Sequence, residues 1–372
     1  MQAKWRGMGA AAAVATPISV ASAVTRAVQP LMQRYHIPGM AVGIVADGRI
    51  YVYTYGVSSK TTKQPIDAAT LFEIGSVSKT FTATLVSYES LRGTLSLSDM
   101  ASADLPVLRG SNFDRVSLVN LGTHTAGGLP LQVPDDVTND AQLLSYLQHW
   151  KPAYPPGTYR VYSNVGIGLL GFITAARTHE DFSALMQRAI FSPLGLQHTY
   201  LNVPPGQMGN YAQGYTSDDK PIRMRAGELA AEAYGVRTTA GDMTRWLEAN
   251  VGILPVAATL RHALTDTQTG YYRSGPFTQD LIWEQYPYPV TLAQLEDGNS
   301  PKMLFDPNPA TALVPPQQPG GDVLIDKTGS TNGFSAYIVY VPSKKIGVVL
   351  LANKSYPIPA RVSTAYAILS HL

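Results

Sequence analysis

The spacing of apolar and polar residues predicts a helix at each end of the chain. Near the amino terminus, apolar side chains recur every three to four residues, at Val24, Val28, Leu31, Met32 and Tyr35. This spacing predicts a helix that Pro30 disturbs and that Ile37-Pro38-Gly39 ends. At the carboxyl terminus, the segment "PARVSTAYAILSHL" repeats the same interval and predicts a terminal amphipathic helix.

Next to both predicted helices the pattern is typical of strands. Two β-rich runs in "MAVGIVADGRIYVYTYGV" flank Ala46-Asp47-Gly48, which indicates a hairpin. From Val323 onward three further strands are predicted, in "VLIDKTGS", "GFSAYIVYVP" and "KIGVVLLANK". Turn-forming residues at 330–333 and 342–345 separate these three runs.

Between these regions the chain is predicted to be mostly helical. Short helices are indicated in "NDAQLLSYLQHW", "DFSALMQRAIF" and "GDMTRWLEANVG", the first of them with Asn139 as its cap. Residues 202–230 are rich in glycine, proline and polar residues, which favours a long loop.

This order of elements predicts an α/β fold of the α+β type. One antiparallel sheet is built from both ends of the chain and flanked by helices, and an all-α subdomain is inserted in the middle. The expected divisions are residues 19–92 with 265–372 for a discontinuous sheet domain, and 93–264 for a mainly helical domain. The active site is expected between the two domains.

Composition narrows the class of protein. The chain has 372 residues, of which 45% are hydrophobic and 15% charged, and this balance is typical of a packed globular protein. A net charge of +2 is too small to indicate nucleic acid or an anionic membrane as the main partner. The absence of cysteine from the sequence excludes disulfides, thiolate metal sites and cysteine nucleophiles.

The first residues carry the outline of a secretion signal. Lys4 and Arg6 precede a mildly apolar, alanine-rich run and then Ala21-Ser22-Ala23. Residues 1–18 are therefore predicted to be a signal remnant or an N-terminal extension, and a periplasmic location is expected. The rest of the chain has no apolar run long enough to span a bilayer.

Candidate chemistry begins in "GSVSKTF", at residues 75–81. The intervals of Val77, Phe81 and Leu85 predict a helix here, with Arg92-Gly93 as its last turn and stop. Ser76 lies at the first turn, and Lys79 follows at i+3 on the same side. A helix cap followed by a solvated lysine is the commoner explanation of such a pair.

Two later motifs change that balance. "VYSNVG" places Tyr162 and Asn164 in a loop, and "DKTGSTNGF" places Lys327, Thr328, Gly329 and Ser330 at the end of a strand. Each motif alone is weak, because loops and strand edges often carry such residues. Together with Ser-x-x-Lys they form the set carried by penicillin-recognising serine enzymes.

With these motifs the sequence resembles the class C serine β-lactamases, or cephalosporinases, over nearly its whole length. Tyr-Ser-Asn fits class C, in which the second motif begins with tyrosine. Further stretches match that family: "TLFEIGSVSKTF", "HTAGGLPLQVPDD", "EAYGVRTT" and "LLANKSYPIPAR". The resemblance implies hydrolysis of the β-lactam amide of cephalosporins, and also of penicillins, by a monomer without a cofactor or metal.

The chemistry of such a reaction can be assigned to candidate residues. Ser76 is the candidate nucleophile, and its own N–H lies at a helix start that favours negative charge. The resemblance implies the N–H of Ser330 as the second oxyanion donor. The base is Tyr162 or Lys79, because Lys79 and Lys327 would lower the pKa of the phenol while the same proximity would favour a neutral Lys79. A role shared by Tyr162 and Lys79 is the preferred interpretation.

The resemblance also implies the substrate contacts. Lys327 and Thr328 suit the substrate carboxylate, with Arg361 nearby, and Gln132 and Asn164 match the amide-binding pair of the family. Tyr234 is expected to form a wall of the pocket. The chain departs from the family pattern at Ile358, where many class C enzymes have an asparagine that helps to bind the carboxylate.

Other functions and sites are less favoured by the sequence. The seven histidines show no metal-binding spacing, and His124 is expected to be a hydrogen-bonded structural residue. Ser76 is not in a Gly-x-Ser-x-Gly elbow, which argues against an α/β-hydrolase. The same fold would also suit a D-Ala-D-Ala carboxypeptidase or a family-VIII-like esterase. A β-lactam-binding sensor that stays acylated is a further alternative.

Overall fold

The structure, a computed structural model, describes residues 19–372. The predicted signal remnant therefore lies outside the described residues. The α-helices of this range are α1 Val20–Arg34, α2 Ser78–Leu91, α3 Ala101–Asp104, α4 Leu118–Gly122, α5 Asp140–His149, α6 Asn164–Thr178, α7 Phe182–Met186, α8 Ser192–Leu194, α9 Ala230–Ala233, α10 Ala240–Asn250, α11 Ala258–Asp266, α12 Leu292–Gly298, α13 Pro301–Phe305 and α14 Ile358–Leu369.

The strands of the same range form one large sheet and two small ones. Their bounds are β1 Gly39–Ala46, β2 Arg49–Gly56, β3 Phe72–Glu73, β4 Tyr159–Arg160, β5 Thr199–Tyr200, β6 Gly214–Tyr215, β7 Pro221–Ile222, β8 Arg237–Thr238, β9 Gly270–Ser274, β10 Phe277–Gln279, β11 Glu284–Pro287, β12 Asn308–Gln317, β13 Val323–Ser330, β14 Ser335–Val341 and β15 Ile346–Ala352. The large sheet is antiparallel, in the order β2-β1-β15-β14-β13-β11-β10-β9-β12-β4.

Strands from the two ends of the chain pair near one edge of this sheet. Strand β1 pairs with β15, so that Met40 lies opposite Ala352 and Val45 opposite Gly347. Asp47 and Gly48 both have positive φ angles, 51° and 67°, and form the tight turn between β1 and β2. The predicted fold class, an antiparallel sheet built from both termini and flanked by helices, is confirmed.

Helices cover both faces of the sheet. Val24 and Val28 of α1 pack with Val362 and Ile368 of α14 on one face. On the other face, Phe81 of α2 and the helix α10 form a second core. Although α10 lies in the range 93–264 assigned to the helical domain, it packs on β1 so closely that a Cβ on Gly43 would meet Thr244 Oγ1 at 2.0 Å. The domain division itself stays a prediction.

The sequence did not predict the strands β9 to β12. These strands are short or polar, as in "GYYRS" and "FTQ", and they show little of the alternation that marks a half-buried strand. Within the expected long loop of residues 202–230, the strands β6 and β7 form a small two-stranded sheet. None of the helices within residues 19–372 has the length and hydropathy needed to cross a membrane.

Candidate active site

Ser76 lies in the middle of a single 3-10 turn, Gly75–Val77, that leads into α2. It is half-buried, whereas Lys79 in the first turn of α2 is completely buried. The ammonium of Lys79 donates hydrogen bonds to Ser76 Oγ at 2.8 Å and to the carbonyl oxygen of Ala233 at 2.9 Å. The lysine is thus not solvated, as the commoner explanation would require, but is directed at the serine hydroxyl.

Two glycines bring the end of β13 against the Ser76 turn. Gly75 has a φ of 51°, and a Cβ there would lie 2.5 Å from the carbonyl oxygen of Ser330. A Cβ on Gly329 would lie 2.0 Å from the carbonyl oxygen of Ile74. Only residues without a side chain allow this approach of the two backbones, which places the backbone N of Ser330 beside the Ser76 turn.

A Cβ at position 75 should impair activity, and it should also lower the stability of the fold, because the atoms that it meets are backbone atoms of Ser330. We expect Gly75→Ala to lower kcat/KM by about 100-fold, because the turn and the strand must separate and Ser76 is displaced. Gly93→Ala is the matched control, since Gly93 also has a positive φ, 78°, but a Cβ there meets nothing within 4 Å. Equal losses of kcat/KM for the two variants, measured with thermal melts as a check on folding, would contradict this role of Gly75.

Tyr162 lies between two ammonium groups. Lys79 Nζ is 5.3 Å and Lys327 Nζ 5.1 Å from the centroid of its ring, and only 6% of the side chain is exposed. Burial opposes ionisation of the phenol, but the charges of Lys327 and Lys79 outweigh it and lower the pKa of Tyr162 to about 8. Burial likewise lowers the pKa of Lys79 to about 8, although Tyr162 opposes the change. Both groups therefore titrate about one pH unit above neutral pH.

His124 and Arg160 both lie next to the ring of Tyr162. The rings of His124 and Tyr162 are 4.5 Å apart, and His124 Nδ1 accepts the backbone N–H of Ser163 at 3.2 Å. Burial and the nearby charge of Arg160 keep the pKa of His124 well below its usual range, so that the imidazole is neutral. This geometry agrees with the structural role expected for His124.

Arg160, which the sequence did not single out, is 1% exposed at the edge strand β4. Its Nη2 donates to Glu284 Oε1 at 2.8 Å and its Nε to Gln279 Oε1 at 2.6 Å. A buried guanidinium needs such partners, because its desolvation is otherwise costly. The ion pair between Arg160 and Glu284 therefore holds the segment that carries Tyr162 against β11.

The Lys-Thr-Gly motif lies at the end of β13, and hydrogen bonds from Lys327 and Arg361 hold this end of the strand in place. Lys327 Nζ donates to the carbonyl oxygen of Thr328 at 3.1 Å, and burial of Lys327 is outweighed by Tyr162 and Glu284, which raise its pKa. Arg361 on α14 donates through Nη1 to Gly329 O at 2.7 Å and to Ser330 Oγ at 3.0 Å. Arg361 therefore fixes the end of the strand beside Ser76.

A cleft of about 680 Å³ opens over these groups. Of the residues predicted from the sequence, its lining includes Ser76, Gln132, Asn164, Tyr234 and Ser330. Asn164 begins α6 and is 7% exposed, and within residues 19–372 its buried Oδ1 has no hydrogen-bond partner. An unsatisfied acceptor at the edge of a cleft is suited to a ligand N–H.

One wall of the cleft was not predicted. It is formed by residues 221–225, and a buried carboxylate holds it in place. Glu73 Oε1 accepts the backbone N–H of Met224 at 2.8 Å and the hydroxyl of Tyr211. A lone acidic residue inside the apolar segment "TLFEIGSV" is the sequence signal that would have identified Glu73.

Comparisons with known proteins agree with this architecture. The family model described as beta-lactamase matches residues 24–372. A beta-lactamase of Pseudomonas fluorescens is 50% identical over 347 residues, which cover 93% of this chain and 97% of the relative.

Solved structures are similar over the same range. A D-alanine carboxypeptidase AmpC from Burkholderia cenocepacia is 55% identical, with a TM-score of 0.91 over 95% of this chain and 99% of the other. A class C beta-lactamase in complex with cefoxitin is 50% identical, with a TM-score of 0.92 and the same coverage. The resemblance to class C β-lactamases is confirmed, and the chain belongs to the β-lactamase family.

Proposed function

We propose that this protein is a serine β-lactamase that opens the β-lactam amide through an acyl-enzyme on Ser76. The observation that carries the proposal is the hydrogen bond of 2.8 Å from the buried ammonium of Lys79 to Ser76 Oγ, beside a tyrosine of lowered pKa. A serine hydroxyl becomes an effective nucleophile when a neighbouring group takes its proton. The pair Tyr162–Lys79 supplies that group.

In the proposed acylation, Ser76 Oγ attacks the lactam carbonyl carbon and its proton passes to the Tyr162–Lys79 pair. The N–H groups of Ser76 and Ser330 stabilise the oxyanion, and the close approach of β13 to the Ser76 turn supports this assignment. The pair then returns the proton to the lactam nitrogen as the C–N bond breaks. A water, activated by Tyr162, later attacks the ester and regenerates Ser76.

The substrate contacts are proposed on the same geometry. Gln132 and Asn164 bind the acylamide group, with the unpartnered Oδ1 of Asn164 as an acceptor, and Tyr234 forms a wall. Lys327 and Thr328 bind the substrate carboxylate, through a charge and a hydrogen bond respectively. Arg361 acts near it through its hydrogen bonds to the end of β13, and Ile358 offers no polar contact there.

A second candidate function is cleavage of D-alanyl-D-alanine peptides on the same serine. The solved structure that is 55% identical to this chain is a D-alanine carboxypeptidase, which favours testing this activity directly. The same acylation chemistry would serve a peptide or an ester, because both place a carbonyl between Ser76 and the oxyanion donors.

A parallel assay separates these functions. Turnover of nitrocefin, a D-Ala-D-Ala peptide and a short-chain p-nitrophenyl ester is measured at equal enzyme concentration, with intact mass before and after each substrate. We expect the highest kcat/KM for nitrocefin. A higher value for the peptide or the ester would overturn the preference for β-lactams, and a permanent adduct without turnover would identify a sensor.

Two further statements stay predictions. A periplasmic location rests on the basic and alanine-rich opening of the sequence. The monomeric state rests on the resemblance stated from the sequence motifs.

A further inference from the structure

The cleft wall contains two arginines that differ in their contacts. Arg223 is bound to its own loop, since its Nε donates to Ala212 O at 3.1 Å and its guanidinium lies 4.3 Å above the ring of Tyr211. Between the two arginines, the backbone of Met224 is anchored to Glu73. The wall is therefore fixed at the two residues that immediately precede Arg225.

Arg225 is exposed, and among the described residues it forms no ion pair with the two carboxylates that line the same depression. It lines the cleft that contains Ser76 and also an adjoining depression of about 470 Å³. Asp135 and Glu228 line the same depression, yet none of the ion pairs found between residue 19 and residue 372 includes Arg225. A guanidinium at the junction of two cavities is suited to an anionic ligand group.

The position of Arg225 indicates which part of a ligand it would meet. Gln132 and Tyr234 line both the cleft and the depression, as Arg225 does, whereas Ser330 lines only the first. A β-lactam acylamide held by Gln132 and Asn164 would extend its side chain past Tyr234 into the depression. The opposite end of the substrate would face Ser330 and the Lys-Thr-Gly strand.

We propose that Arg225 is a specificity-determining residue that favours β-lactams whose acylamide side chain ends in a carboxylate. The proposal rests on the proposed function, because it uses the same cleft and the same orientation of the substrate. An exposed ion pair contributes modestly, and a bidentate guanidinium–carboxylate contact contributes more. Together these favour the anionic substrate by about three- to tenfold in kcat/KM.

The test compares two cephalosporins that differ only in one charge: the 7-glutarylamido compound, with a terminal carboxylate, and its terminal monoamide. The ratio of their kcat/KM values is measured for the wild type, Arg225→Gln, Arg225→Lys and Arg26→Gln. Arg26 is exposed on α1, outside the cleft lining, so its removal changes the net charge equally. The ratio should fall about three- to tenfold in Arg225→Gln and by a smaller factor in Arg225→Lys, which keeps the charge but loses the bidentate contact, and it should not change in Arg26→Gln.

Added salt provides a second measurement. The wild-type ratio should decrease between low and high NaCl concentration, whereas that of Arg225→Gln should stay constant, because salt screens exposed charges. A ratio that is unchanged by Arg225→Gln, or equally reduced by Arg26→Gln, would overturn the role of Arg225 and leave the β-lactamase function intact. Absence of hydrolysis and of a covalent adduct with both compounds would instead overturn the proposed function, and this proposal with it.

Discussion

Replacing Ser76 by alanine should abolish covalent labelling by penicillin and reduce β-lactam turnover by roughly four orders of magnitude or more. The alanine keeps the backbone N–H and the cleft but has no oxygen that can form the ester. Intact mass spectrometry after incubation with benzylpenicillin measures the adduct, and hydrolysis of nitrocefin measures the residual rate. The loss should lie in kcat, because the proposed binding contacts remain.

The substitution should leave the fold intact, so that the loss reports chemistry. Lys79 loses one acceptor but keeps its hydrogen bond of 2.9 Å to the carbonyl oxygen of Ala233. Ser90→Ala, near the end of the same helix α2, is the matched control and should retain full labelling. An adduct of unchanged stoichiometry in Ser76→Ala would show that another residue is the nucleophile.

The sequence predicted those parts of the molecule that depend on neighbouring residues. The hairpin at Asp47-Gly48 and the helix after Ser76 follow from local periodicity and turn chemistry, and both are present in the structure. The three motifs of the site were recognised in the same way, each as a short segment. Their arrangement around one cleft followed from the family resemblance and not from any one segment.

What the sequence could not predict depends on contacts between distant residues. Glu73 and Tyr211 are 138 residues apart, and Arg160 and Glu284 are 124 residues apart. Arg160 and Glu284 each resemble exposed polar residues in their own segments, and Glu73 is marked as unusual only by its apolar neighbours. In each case the distant partner makes the burial favourable. The proposed role of Arg225 has the opposite origin. It depends on Arg225 being exposed, whereas Arg223 is held by Ala212 and Tyr211.

Replacing Tyr162 by phenylalanine should lower kcat/KM by about two or more orders of magnitude. The ring keeps its packing against His124, at 4.5 Å between centroids, so the main change is the loss of the hydroxyl. Tyr159→Phe, three residues away on β4, is the matched control, and its turnover should stay near that of the wild type. Thermal melts of both variants test whether folding is preserved.

The pH dependence separates the two candidate bases. In the wild type, kcat/KM should decrease as the pH falls below about 8, because the pair formed by Tyr162 and Lys79 then gains a proton and loses its base. Tyr162 raises the pKa of Lys79, so Tyr162→Phe should lower that pKa further. If Tyr162 is the base, the variant is slow at every pH. If Lys79 alone is the base, the variant keeps near wild-type rates and its acid limb moves to lower pH, which would refute the proposed role of the phenol.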